Sequence, residues 1–289
     1  MRSRIKIVSK ILYYMRNILK KIYWKLPFKK KLFSLLKNIY VPSSDIYKHL
    51  RFSEPFKAHI GKDYSFQIYN SSIIENEIFW NGFGNTWEKE SLNLWTKLSK
   101  ISSTIFDIGA NNGIYAITSA AVNSNATVYA FEPLDIFVRE INKNIKINGF
   151  QSRLFPQKLA VGDKDGICTI DDYSNNNKKI DVPCLTIDKF VRTQKIDKVD
   201  LVKMDVENYE PYVFLGMKET IKNFRPTILV EILTDECAAM IEEVIKDYNY
   251  KFYNINENHG VRKVNKLTKS DYWNYLLCSE EIAKFLDLT

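Results

Sequence analysis

From Ser102 onward, short apolar runs alternate with longer amphipathic ones, and this alternation limits the fold more than any other feature. We predict strands over 104–108, 127–131, 154–161, 166–173, 182–185, 199–206, 227–233, 251–255 and 273–278. We predict helices over 91–100, 113–121, 135–148, 212–223 and 234–249. Strands that alternate with helices form a mostly parallel sheet with helices on both faces, so an α/β fold is expected.

The basic charge of the chain is concentrated in residues 1–40, which contain 12 Lys or Arg and no Asp or Glu. The net charge is +8, yet the other residues include 30 basic and 34 acidic side chains. Apolar residues three and four apart from Ile5 to Leu26 predict an amphipathic helix that Pro27 ends. No uncharged run is long enough to span a bilayer. We expect residues 1–40 to lie on an anionic membrane surface, with docking on protein as the alternative.

Composition divides the chain into three predicted regions. Residues 1–40 are the basic segment, residues 41–100 are an aromatic-rich cap on the substrate side, and residues 101–289 are the α/β domain. Residues 41–289 are slightly acidic overall and lack the basic groove that a nucleic acid would need, so no nucleic-acid partner is expected. Four widely spaced cysteines match neither a zinc site nor a disulfide framework, which indicates reduced thiols in the cytoplasm.

Ligands of parallel sheets bind beyond the carboxyl ends of the strands, and several polar residues follow predicted strands here. Gly109 and Gly113 lack a Cβ atom and let a ligand approach the backbone, while Asp107 can orient the loop or bind a cationic amino group through water. Glu132 ends the next strand, where a carboxylate can accept both ribose hydroxyls. Asp163 follows the third strand. An ordinary turn explains the glycines or Asp163 alone, and a surface Glu that precedes Pro133 explains Glu132 alone, but the combination predicts a nucleoside cofactor.

The fourth long strand gives the clearest indication of catalysis. Lys203, Asp205 and Glu207 alternate with apolar residues, so a strand would place all three on one face. A central strand is normally apolar on both faces, and buried charges are costly unless they are paired or functional. A Lys203–Asp205 ion pair with a purely structural role is the alternative. Glu231 lies near the end of the following strand in the same way.

These residues together resemble the FkbM family of methyltransferases. The resemblance extends from Ile105 to about Leu233 and is carried by the runs FDIGANNG, FEP, LAVGD, LTID, KMDVENYE and PTILVEI. Residues 79–95 are similar to the segment that precedes the family's domain, including its Trp-Glu pair, but more weakly. One departure is Asn208, where the family has Gly, and Asn is the residue after Gly that best tolerates positive φ.

The resemblance implies a class I methyltransferase Rossmann-like fold, a mostly parallel seven-stranded sheet, and S-adenosylmethionine as the methyl donor. Carried over by position, it assigns the methionine half of the cofactor to Asp107, Gly109, Asn111 and Gly113. It assigns the ribose to Glu132, the adenine end to Asp163, and the acceptor side to Asp205, Glu207 and Glu231.

A sugar or polyketide hydroxyl, the acceptor that the resemblance implies, is a poor nucleophile, so a base must take its proton during methyl transfer. Asp205 is the first candidate and Glu207 the second, with His59 and His259 as further candidates. A divalent metal bridging Asp205 and Glu207 is a less favoured possibility, because paired carboxylates suit Mg²⁺. We expect a glycan or glycolipid acceptor, methylated at the inner membrane face.

Three other functions use some of the same residues. A nicotinamide-dependent dehydrogenase shares the glycine turn and the ribose acid, but its usual GxGxxG spacing is replaced by Gly109-x-x-x-Gly113. A nucleic-acid methyltransferase would contain an Asp/Asn-Pro-Pro-aromatic motif, which this sequence lacks. A membrane-attached scaffold with a decayed site would not retain Asp107, Glu132 and Asp205 together.

Overall fold

The computed structural model describes residues 27–172, 175 and 178–288, so the predicted helix from Ile5 to Leu26 lies outside the described residues. The described helices are α1 (Lys29–Ile39), α2 (Ser44–Tyr47), α3 (Ile73–Asn81), α4 (Lys89–Ile101), α5 (Ile114–Val122), α6 (Asp135–Asn148), α7 (Ile187–Gln194), α8 (Glu210–Leu215), α9 (Lys218–Phe224), α10 (Asp235–Ile245) and α11 (Glu280–Phe285). The described strands are β1 (Pro55–Ile60), β2 (Tyr64–Tyr69), β3 (Thr104–Ile108), β4 (Thr127–Phe131), β5 (Leu154–Gln157), β6 (Ala160–Val161), β7 (Gly166–Asp172), β8 (Lys178–Leu185), β9 (Leu201–Met204), β10 (Thr227–Glu231), β11 (Lys251–Asn256), β12 (Gly260–Val264) and β13 (Asn274–Cys278).

The central sheet has eight strands in the order β12-β11-β13-β10-β9-β3-β4-β5. The five strands from β10 to β5 are parallel, and β13 and β12 run against them. The mostly parallel sheet is therefore confirmed, with one strand more than predicted. The additional strand, β12, is an edge strand in which Arg262 and Lys263 are exposed, so its sequence lacks an apolar run.

Helices cover both faces of this sheet, as predicted. Alternate strand residues point to opposite faces, so Ile105 packs with α4, α5, α6 and α11 while Phe106 packs with α7, α8, α9 and α10. Strand order reverses beside β3: β4 and β5 lie on one side, and β9 and β10 on the other. The carboxyl ends of β3, β9 and β10 therefore form the edge at which a ligand is expected.

Two predicted elements are divided in the structure. The predicted strand over 154–161 forms β5 in the central sheet and β6 in a separate three-stranded sheet, where β6 pairs with β8 and β8 with β7. The predicted helix over 212–223 is interrupted after α8 by Gly216. A Cβ atom there would collide with the carbonyl oxygen of Gly162, so the close approach of these two turns requires glycine.

Residues 41–100 pack directly on the α/β domain. The β1–β2 hairpin lies along α6, where the side-chain oxygens of Asn148 and Asn144 accept hydrogen bonds from the backbone N–H groups of Gln67 (2.7 Å) and Tyr69 (3.1 Å). Trp95 of α4 is fully buried and donates to the carbonyl oxygen of Tyr115 at 2.9 Å. This region therefore places its side chains at a fixed position beside the ligand edge.

Candidate active site

A sharply turning loop joins β3 to α5 at the carboxyl end of β3. Gly109, Asn111 and Gly113 all have positive φ angles, of 78°, 49° and 81°. A Cβ atom on Gly109 would collide with the carbonyl oxygen of Asp205, whose own N–H donates to Ile108 at 3.0 Å. Glycine at position 109 therefore lets the end of β9 lie directly against the loop.

Asp107 is buried beneath this loop at the end of β3. Its Oδ2 accepts a hydrogen bond from the N–H of Ala116 at 2.9 Å, which ties the strand to the first turn of α5. Burial raises the pKa of this carboxyl to about 7, against the opposing effect of the Lys203 ammonium. A ligand that brought a cationic group here would stabilise the ionised form.

Glu132 is buried one strand away, directly after β4. Its Oε2 accepts from the N–H of Asn111 at 2.9 Å and its Oε1 from the N–H of Leu134 at 2.8 Å. Burial raises the pKa of Glu132 to about 7. Because a carboxylate oxygen has two lone pairs, each oxygen can accept one more donor, such as a ribose hydroxyl.

The amino-terminal end of α3 supports the same loop, a contact that the sequence analysis missed. Buried Asn112 donates from Nδ2 to Oε1 of Glu75 at 2.7 Å and to the hydroxyl of Ser72 at 3.1 Å. Ser72 and Glu75 form a capping box at the start of α3. The S-x-x-E spacing of these two residues in the sequence is the signal that would have predicted this helix start.

Lys203 lies at the centre of the site, although only 1% of its side chain is exposed. Its Nζ is 3.3 Å from Oδ2 of Asp205 and 5.1 Å from the centre of the Tyr115 ring. Burial lowers the pKa of Lys203, but the carboxylates around it, with Asp205 and Glu88 foremost, raise that pKa by more. The ion pair considered in the sequence analysis is thus present, and it fixes Asp205 at the end of β9.

Glu88 and Asn274 complete this cluster from distant parts of the sequence. Glu88 immediately precedes α4, and its Oε2 accepts from the Tyr115 hydroxyl at 3.0 Å. Its Oε1 accepts from Nδ2 of Asn274, the first residue of β13, at 3.1 Å. Burial raises the pKa of Glu88, and the Lys203 charge opposes that rise. Glu88 belongs to the Trp-Glu pair of the family resemblance, but its role was not predicted from the sequence.

Glu231 and Glu207 are the other two residues predicted to face the acceptor, but only Glu231 ends a strand. Burial and then the Asp205 charge raise the pKa of Glu231 to about 8.

The predicted alternation over Lys203, Asp205 and Glu207 is wrong at its last member, because β9 ends at Met204 and Glu207 has a φ of 56°. Burial and then Asp205 raise the pKa of Glu207. Asn208 has a φ of 72°, as its tolerance of positive φ predicted.

The remaining candidates lie elsewhere. Asp163 follows β6, with its Oδ2 4.0 Å from Nζ of Lys164, and its role at the adenine stays a prediction. His59 and His259 are exposed, on β1 and before β12.

Within residues 27–172, 175 and 178–288, no three His, Cys, Asp or Glu side chains are grouped to hold a metal ion. No described helix is long and apolar enough to cross a membrane, and all four cysteines are unpaired thiols.

Comparison with known proteins identifies a family. The FkbM methyltransferase domain model matches residues 107–252. Solved structures that match part of the chain include methyltransferase FkbM from Methylobacillus flagellatus, at 15% identity and a TM-score of 0.42 over 61% of this chain and 43% of that one. An O-methyltransferase from Bacillus cereus in complex with S-adenosylhomocysteine matches at 14% identity and a TM-score of 0.39, over 65% of this chain and 78% of that one. The search of curated proteins found no match.

The chain thus spans less than half the length of the Methylobacillus protein, and its match to the domain model is the stronger finding. That match begins at Asp107, at the end of β3, and ends within β11. It therefore contains the glycine loop, Glu132, Lys203, Asp205 and Glu231. Together with the sheet described above, it confirms the predicted class I methyltransferase fold.

Proposed function

This chain belongs to the FkbM methyltransferase family, and we propose that it methylates a hydroxyl group of a sugar in a glycan or glycolipid. Family membership implies S-adenosylmethionine as the donor and replaces the nicotinamide-dependent alternative. The observation that carries the proposal is the position of the Asp205 carboxylate. Buried Lys203 holds this carboxylate at 3.3 Å, and the backbone carbonyl of Asp205 lies against Gly109 of the glycine loop.

The cofactor side of the proposed site suits S-adenosylmethionine in charge and hydrogen bonding. Asp107 and Glu132 are buried carboxylates with raised pKa values, so both gain from a ligand that supplies a cation or hydroxyl donors. We assign Asp107, Gly109, Asn111 and Gly113 to the methionine half, Glu132 to the ribose and Asp163 to the adenine end. When bound, S-adenosylmethionine supplies a methyl group that its sulfonium already activates.

Asp205 is the proposed general base. It follows β9, the strand next to β3, so it lies beyond the cofactor side in the direction of β10. Lys203 orients its carboxylate by the 3.3 Å contact and leaves about a third of the side chain open to a substrate. Glu231 and Glu207 lie near enough for Asp205 to influence their pKa values, and we place both on the acceptor side.

Two tryptophans at this edge support a sugar as the acceptor. Trp80 and Trp95 are fully buried, whereas Trp87 is 49% exposed and Trp273 is 50% exposed. Each exposed tryptophan directly precedes a member of the buried cluster, Glu88 or Asn274, and those two residues hydrogen-bond to each other. An exposed indole offers a flat apolar surface for the C–H face of a sugar ring.

Strand spacing gives the scale of this acceptor site. Trp273 lies beside the end of β10, because its carbonyl oxygen accepts from the N–H of Ile232 at 2.8 Å. β13 is two strands from β9 in the sheet. With neighbouring strands ~4.8 Å apart, Trp273 lies roughly 10 Å from Asp205 along the edge. This distance suits a glycan in which one ring is methylated and the next contacts the tryptophans.

Calorimetric titration with S-adenosylhomocysteine tests the cofactor half of the proposal. The wild-type protein should bind, and Glu132→Ala should lose most of the affinity because the buried ribose acceptor is gone. Glu243→Ala is the matched control, since Glu243 is an exposed carboxylate on α10. A folded wild-type protein that binds no S-adenosylhomocysteine would refute the proposed function.

Transfer of a labelled methyl group to maltotriose, chitotriose and mannotriose tests the acceptor half. Trp87→Ala and Trp273→Ala should raise KM for the trisaccharide that is methylated and leave the affinity for S-adenosylhomocysteine unchanged. Phe285→Ala removes an exposed aromatic ring from α11 and should have no effect. Transfer to a phenolic or polyketide hydroxyl, with no trisaccharide methylated, would overturn the sugar assignment.

A further inference from the structure

Helix α1 carries a continuous apolar stripe on its outer side. Phe28, Leu32, Leu35 and Ile39 are 74%, 62%, 59% and 88% exposed. Leu32, Leu35 and Ile39 are three and four residues apart, which aligns them along one face of the helix. Phe28 is the residue directly before α1 and has a left-handed φ of 65°. Large apolar side chains that are exposed singly need no explanation, but a row of four marks an interaction surface. We call these four residues the outer α1 face.

The inner side of α1 is fixed to the protein. Phe33 is buried, with its ring centre 5.7 Å from that of Trp80 and 6.3 Å from that of Phe52. The ammonium groups of Lys30 and Lys37 donate to the carbonyl oxygens of Pro55 and Phe79. The outer α1 face therefore points away from the domain in a defined orientation.

Charge identifies the partner of this face. Residues 1–40 contain 12 Lys or Arg and no Asp or Glu. Of the four lysines in α1, Lys29 is buried and Lys30 and Lys37 donate to the domain, whereas Lys31 is exposed. A second copy of the chain docked on this face would bring like charges together. Anionic lipid headgroups would neutralise the basic side chains of residues 1–40 that do not contact the domain, while the acyl region covers the apolar row.

We propose that the outer α1 face lies in the interface of an anionic bilayer, at the inner membrane face, with its four apolar side chains inserted among the lipids. α1 packs on Trp80 of α3, and the first turn of α3 contacts Asn112 of the glycine loop. The membrane surface and the candidate active site are thus joined through one packed helix. This arrangement would place the site beside a glycan that is attached to a lipid.

Co-sedimentation of the full chain with vesicles tests this proposal. The wild-type protein should bind vesicles of phosphatidylcholine and phosphatidylglycerol, bind phosphatidylcholine vesicles weakly, and lose affinity as salt is added. Leu32→Ser combined with Leu35→Ser should lower the affinity for the vesicles by about tenfold for each leucine. Each leucine side chain is exposed in the free protein and would be buried among the lipids in the bound one. Both positions are exposed, so the variant should keep the wild-type affinity for S-adenosylhomocysteine.

A matched control is Ile73→Ser combined with Ile167→Ser, which removes two exposed apolar side chains at 68% and 77% exposure from other surfaces. This control should bind vesicles like the wild type. Equal binding by the Leu32/Leu35 variant and the wild type would refute the proposal, since other residues would then hold the protein on the membrane. A wild-type dimer that becomes a monomer in the Leu32/Leu35 variant by light scattering would assign the face to a second copy instead.

Discussion

Lys203→Met should destabilise the protein strongly at alkaline pH and weakly at acidic pH. Lys203 is the buried cation on which Asp107, Asp205, Glu88 and Glu231 all act electrostatically. Methionine keeps a similar volume and removes the charge, so the packing against Tyr115 is largely preserved. The variant therefore isolates the electrostatic contribution of the lysine from its contribution to packing.

The magnitude follows from burial and from the raised pKa values. Breaking a buried ion pair by removing one partner costs about 3–5 kcal/mol when the other partner stays charged. Asp205 and Glu88 act most strongly on Lys203, and solvent screens part of the Asp205 charge because that side chain is 35% exposed. Asp107 and Glu231 add the pH dependence, since burial raises their pKa values to about 7 and about 8.

The direction of the pH dependence follows from the same values. A carboxyl whose pKa is raised by folding binds its proton more tightly in the folded protein than in the unfolded chain, so stability falls as pH rises through the folded pKa. Lys203 lowers the pKa values of Asp107 and Glu231, and its loss should raise them further. The cost of Lys203→Met should therefore be about 3–5 kcal/mol near pH 8.5 and about 1–2 kcal/mol near pH 5.5.

Urea unfolding followed by circular dichroism at these two pH values measures the effect. Lys203→Arg keeps the charge and should lose much less stability at alkaline pH than Lys203→Met. Lys198→Met is the surface control, because Nζ of Lys198 lies 2.6 Å from Oδ1 of Asp200 but the lysine is largely exposed, and it should cost about 0–1 kcal/mol. An equal loss for Lys203→Met at both pH values would refute the electrostatic account.

Three further predictions concern the site. Asp205→Asn should keep the affinity for S-adenosylhomocysteine and lower kcat by about 10²–10⁴ in the labelled-methyl assay, because the amide cannot take a proton; near-normal kcat would remove Asp205 from the role of base. Gly109→Ala should abolish calorimetric binding of S-adenosylhomocysteine, because its Cβ collides with the Asp205 carbonyl, whereas Gly149→Ala, at a similar φ in open space, should retain it and cost about 1 kcal/mol in urea unfolding. Treatment with EDTA should leave methyl transfer unchanged, and a loss restored by Mg²⁺ would establish the metal bridge between Asp205 and Glu207.

The central elements of the fold could be predicted because burial on both faces gives them a simple sequence pattern. The predicted bounds of β3, β4 and α6 coincide with those in the structure. α3 and the β1–β2 hairpin were not predicted. The sequence of α3 is IIENEIFWN, in which Glu75 and Asn76 are buried beside Trp80, so polar residues interrupt the apolar spacing that identifies a helix. Those polar residues are buried because they bind other parts of the chain, which only tertiary structure reveals.

The candidate site likewise contains residues that could be predicted from the sequence and residues that could not. Asp107, Glu132 and Asp205 could be selected from the sequence because Asp107 lies at the end of β3 while Glu132 and Asp205 directly follow β4 and β9, and the ends of parallel strands meet at one edge. Glu88 and Asn274 do not lie at the carboxyl end of a parallel strand, and these two hydrogen-bonded residues are 186 positions apart in the sequence.

Asn274 reaches the ligand edge because β13 is antiparallel, so that its first residue, not its last, lies where β10 ends. The apolar pattern predicts that residues 273–278 form a strand, but not the direction in which this strand runs in the sheet. The pattern therefore cannot distinguish these two ends. The direction of β13 therefore decides whether Trp273 or Cys278 lies beside the end of β10. In this fold it selects Trp273, and the proposed contact between that tryptophan and a sugar depends on it.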